Sequence, residues 1–80
     1  MNRETFIREF EAMLDLSQGQ LQLQEQLSGY HSWDSMTQLT LIAFIDNHFQ
    51  YTLELTEMEK IKTTHDILKI LKPYLTTDTQ

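Results

Sequence analysis

The stretch Ser35 to Phe49, SMTQLTLIAFIDNHF, most narrows what this chain can become. Met36, Leu39, Ile42, Ala43, Ile45 and Phe49 recur at helical spacing, and Leu41 and Phe44 widen the apolar face. A helix this apolar has to be covered by other elements to be stable in water. Ser35 and Gln38 fit a Ser-x-x-Gln capping box, which puts the helix start at Ser35. The covering elements must come from a chain of 80 residues, so one domain, 1–80, with a single core is expected.

Those elements read as further helices. Glu4 to Leu14 carries Phe6, Phe10, Met13 and Leu14 on one face of a 3.6-residue period. Asp15 to Asp34 holds both glycines, many glutamines and scattered Leu21, Leu23 and Leu27. It reads as a long loop pinned to the core by leucines, with room for one helical turn. Gln50 to Leu55 is a linker. Thr56 and Glu59 fit a second capping box, opening a short helix over 56–61 with Met58 and Ile61. Thr63 or Thr64 caps a last helix over 64–72, apolar at Ile67, Leu68, Ile70 and Leu71. Pro73 ends it near Lys72, and residues 76–80 are expected to fray. The predicted fold is an all-α bundle of four helices, three main and one short, with a long first loop between the first two. Its core is expected around Phe6, Phe10, Leu39, Ile42, Phe49, Ile61, Ile67 and Ile70.

Charge limits the partners. Between Arg8 and Lys60 there are nine carboxylates and no Lys or Arg, a local formal charge of −9. Such a surface repels phosphate backbones, which argues against nucleic acid, and attracts basic proteins. A solvated acidic surface that only aids solubility explains the same residues. With no cysteine, the chain offers no disulfide, thiolate nucleophile or thiolate metal site. His31, His48 and His65 lack metal-ligand spacing. No apolar run reaches membrane-spanning length, and the N-terminus lacks a signal-peptide core, so a cytoplasmic, monomeric protein is the default expectation.

Ser35 admits three readings. Serine is a preferred N-cap, a purely structural role. As a hydrolase nucleophile it would need a base and an oxyanion hole; His31 is near in sequence, but no Gly-x-Ser-x-Gly elbow is present. As an attachment point, a hydroxyl at a helix N-terminus suits a phosphodiester, which the dipole favours.

Asp34-Ser35-Met36, followed by Thr37-Gln38-Leu39-Thr40-Leu41-Ile42, resembles the Asp-Ser-Leu attachment motif of acyl and peptidyl carrier proteins, which opens that family's second helix. The similarity runs over residues 30 to 72, and Glu59-Lys60-Ile61-Lys62-Thr63-Thr64 resembles the family's third helix and the turn into its fourth. The resemblance implies a non-catalytic carrier. Ser35 would receive 4′-phosphopantetheine from coenzyme A through a phosphopantetheinyl transferase, and Asp34 would assist. The arm's thiol would carry an acyl or aminoacyl thioester, supplied by an activating ligase and passed to an acyltransferase or synthase. Met36, Leu39, Trp33, Asp46 and Glu57 are the expected partner-contacting residues. Leu41, Ile42 and Ile61 match a cargo groove, though plain core is the preferred reading for them. Thr37, Thr40, Asn47 and His48 stand where acids are common in fatty-acid carriers, which points to a dedicated carrier in a specialised biosynthetic pathway. The other reading is an unmodified acidic helical adaptor for a basic partner, with Ser35 only a cap.

Overall fold

A computed structural model describes residues 1–76. Four α-helices follow in order: α1 (Arg3–Met13), α2 (Ser35–Phe49), α3 (Leu55–Lys60) and α4 (Thr64–Leu71). Short 3₁₀ turns lie at Leu27–Gly29 in the first loop and at Lys72–Tyr74 after α4. The result is a small all-α bundle. No helix among the described residues is long and apolar enough to cross a membrane.

Each helix starts where a side chain satisfies free backbone donors. Asn2 caps α1, its side chain accepting from the Thr5 N–H at 2.7 Å. Thr63 caps α4, and Asp66 reaches back to the Thr63 N–H at 3.1 Å, completing a capping box. Two cap expectations need correction. Asp34, not Ser35, is the N-cap of α2: its carboxylate accepts from the Thr37 N–H at 2.9 Å, a stronger acceptor than a hydroxyl. The box at α3 is formed by Glu54 and Glu57, not Thr56 and Glu59. Tyr51 also holds the Glu57 carboxylate. Its hydroxyl donates to Glu57 Oε2 at 2.6 Å, which leaves Oε1 to accept from the Glu54 N–H at 3.3 Å.

The core draws on every helix and on the loop. Phe6, Phe10 and Leu14 come from the α1 side and Leu41, Ile45 and Phe49 from α2. Met58 and Ile61 come from α3 and its end, and Ile67, Leu68 and Leu71 from α4. Phe6 joins the first two helices, with ring centroids 6.1 Å from Phe44 and 6.3 Å from Phe49. Leu39, expected in the core, is 58% exposed. At about 100° per residue, position 39 lies roughly 120° from the centre of the buried row 41, 45, 49, off the core-facing side of α2. Ile42 and Ile70 are half-buried against the core rather than inside it.

The first loop is tied down at both flanks. Leu21 and Leu27 are buried, as the scattered leucines suggested. The Leu27 N–H donates to the Lys62 carbonyl at 2.8 Å, and the His65 N–H donates to the Leu23 carbonyl at 3.0 Å. At its start, the buried Glu11 carboxylate accepts from the Gly19 and Leu21 N–H groups at 2.9 and 3.0 Å. Gly19 has φ of +89°, a conformation costly for any residue with a Cβ. Thr76, expected to fray, donates its N–H to the Met1 carbonyl at 3.1 Å. The fraying expected of the remaining tail falls on residues 77–80, outside the described residues.

Candidate functional site

Ser35 occupies the first position of α2 and is exposed. Its hydroxyl makes no hydrogen bond among the described residues, because the cap duty has passed to Asp34. The first helical hydrogen bond, from the Gln38 N–H to the Asp34 carbonyl at 2.9 Å, fixes the backbone on both sides of the serine. Ser35 therefore stands on rigid backbone with a free oxygen. The Thr37 N–H, and the rest of the α2 N-terminus behind it, hold the exposed Asp34 carboxyl below the usual carboxylate range.

Beside this position lies a half-open groove of about 430 Å³ between the first loop, α2 and α3. Its apolar lining is Leu27, Trp33, Leu55, Met58 and Ile61. Its polar lining is Gln26, Ser28, Gln38, Glu59 and Lys62. Gln38 lies one turn beyond Ser35 on the same helix. Trp33 is half-buried and set edge-on against Phe10, with centroids 5.9 Å apart and planes at 89°. The contact with α1 fixes this indole at the rim of the groove.

Three large apolar side chains stand out in solvent around the same region: Met36 at 74% exposure, Leu39 at 58% and Leu55 at 62%. Met36 and Leu39 share the outward side of α2, so that helix is apolar on two sides and only one faces the core. Asp46 is exposed but lies about 16 Å farther along α2 from Ser35, by helix rise. Glu57 is half-buried, with both oxygens engaged by Tyr51 and Glu54. The structure thus gathers Ser35, Asp34, Met36, Leu39 and Trp33 at one end of α2, and leaves Asp46 and Glu57 apart from them.

Leu41 and Ile61 are buried core side chains, although Ile61 also touches the groove. Among the described residues no group of three or more His, Asp or Glu side chains is placed to hold a metal. His48 packs tilted against Phe44, with ring centroids 4.3 Å apart and planes at 37°. Sequence reading missed Leu55, which it treated as linker, and Glu59 and Lys62 as lining residues. All three become neighbours of α2 only through the tertiary fold. The chain matches no protein-family model, no curated protein and no solved structure, so what stands established is a small all-helical domain with an exposed serine at a helix start.

Proposed function

We propose that the protein is a carrier that holds 4′-phosphopantetheine on Ser35 and presents a thioester-linked acyl or aminoacyl group to partner enzymes. The observation that carries this reading is the free, exposed Ser35 hydroxyl at the first position of α2, beside the Asp34 cap and within a turn of an open groove. The residues present fit the group. The helix N-terminus favours the negative phosphodiester. Among the described residues Oγ has no hydrogen-bond partner, which leaves it available to a modifying enzyme.

In the attachment step, Ser35 Oγ bonds to the phosphorus that bears the pantetheine of coenzyme A. The P–O bond to the adenosine bisphosphate moiety breaks, and a base of the transferase takes the serine proton. The arm, once attached, supplies the thiol that this cysteine-free chain lacks. Asp34 holds the helix start in place, and Met36 and Leu39 offer the apolar surface on which the transferase and client enzymes sit. The advantage of a tethered thioester is effective concentration at successive active sites rather than a lowered barrier.

Incubation with coenzyme A and a broad-specificity phosphopantetheinyl transferase tests this by intact mass. A gain of one phosphopantetheinyl group, absent in Ser35→Ala, is expected. No gain with several transferases sinks the carrier reading. It would leave the adaptor, which the apolar patch of Met36, Leu39 and Leu55 also suits.

A further inference from the structure

The groove beside Ser35 says something about what the arm carries. Three of its five apolar lining residues are already packed within the molecule, Leu27, Met58 and Ile61 being buried, which leaves Trp33 and Leu55 as the accessible apolar surface. Leu41 and Ile45 of α2 are fully buried in the core, so a hydrocarbon chain entering that core would have to force packed side chains apart. A chain lying in the groove instead would strip water from the Gln26 and Gln38 amides, the Ser28 hydroxyl, the Glu59 carboxylate and the Lys62 ammonium, and return no hydrogen bonds.

The same lining suits a polar group. The two amides and the hydroxyl offer both donors and acceptors. Glu59 and Lys62 bring opposite charges to one groove, and among the described residues neither is in an ion pair. A ligand bearing an ammonium can therefore meet Glu59 without displacing an existing partner. Trp33, pinned against Phe10, provides a rigid apolar wall for a small carbon skeleton.

Resting on the carrier reading, we infer that the cargo is a short polar acyl group, an aminoacyl group whose ammonium meets the unpaired Glu59, seated between Gln38, Trp33 and Glu59 outside the core. A long hydrocarbon chain is not sheltered by this fold. Glu59 binds the cargo's ammonium, and Gln38 serves the amide and carbonyl groups at the end of the arm.

Two coenzyme A analogues test it, each with a non-hydrolysable amide in place of the thioester, one alanyl and one octanoyl. A transferase loads each onto the intact chain, and intact mass confirms loading before spectra are recorded. The alanyl arm is expected to shift the Trp33 and Gln38 side-chain N–H signals relative to the bare arm, and Glu59→Gln to abolish most of that shift. The octanoyl arm is expected to leave the Leu41 and Ile45 methyl signals in place. Octanoyl-dependent movement of those methyls, or an alanyl arm that leaves Trp33 and Gln38 unmoved, overturns the cargo proposal while the carrier reading stands. Alanyl shifts indifferent to Glu59→Gln overturn the role given to Glu59. Failure to load any analogue overturns the carrier reading, and this inference with it.

Discussion

At Asp34 and Ser35 two neighbouring oxygens divide two duties: the carboxylate caps, and the hydroxyl is left free. The cap has a pH signature. The carboxyl is held below its ordinary value by the Thr37 N–H, so its contribution is complete above the unfolded pKa and is lost as pH falls through the lower folded one. The Thr37 amide resonance should therefore titrate below the usual carboxylate range, and Asp34→Asn should remove that titration. Tyr51 has the opposite sign. Its hydrogen bond to the Glu57 carboxylate, with burial adding to it, pushes its pKa up to about 12. The stability it brings is full below the ordinary tyrosine value and fades as pH climbs to that level. An ultraviolet phenolate titration should show one late tyrosine, missing in Glu57→Gln.

At the scale of elements, caps and loop ties decide the boundaries. Thr63→Ala should cost about 1 kcal/mol in chemical denaturation, as the loss of a helix N-cap usually does. Glu11→Ala should cost about 2 kcal/mol and expose the Gly19 and Leu21 amides to hydrogen exchange, since two buried N–H groups lose a charged acceptor. These elements also show what a sequence can reveal. The start of α2 was legible to within one residue because its cap signals are local. Whether Asp34 or Ser35 did the capping was not, since both are good caps and only geometry separates them. At α3 the sequence offered a Thr56–Glu59 box, whereas the box that forms uses Glu54 and a Glu57 that is also bonded by a tyrosine outside the helix. The loop's leucines announced themselves as apolar residues in a polar stretch. Glu11 did not, because its partners lie eight and ten residues away and an acid on a helix normally faces water.

Across the whole molecule the two sides of α2 differ in burial, one packed into the core and the other open to solvent. Leu41→Ala should destabilise by about 3 kcal/mol, as removing a buried leucine side chain does. Met36→Ala and Leu39→Ala should change stability by no more than about 0.5 kcal/mol. If the carrier proposal holds, these two substitutions should instead slow modification by the transferase, measured as the rate of mass gain. Periodicity could not sort these residues beforehand: a helix apolar on both sides has no single stripe to read, and Leu39 looked as good a core residue as Leu41. Trp33 is the chain's single tryptophan, braced on α1 and set at the mouth of the groove. The molecule therefore carries its own optical probe: indole fluorescence will respond both to detachment of the first helix and to anything that settles beside Ser35, with no label added.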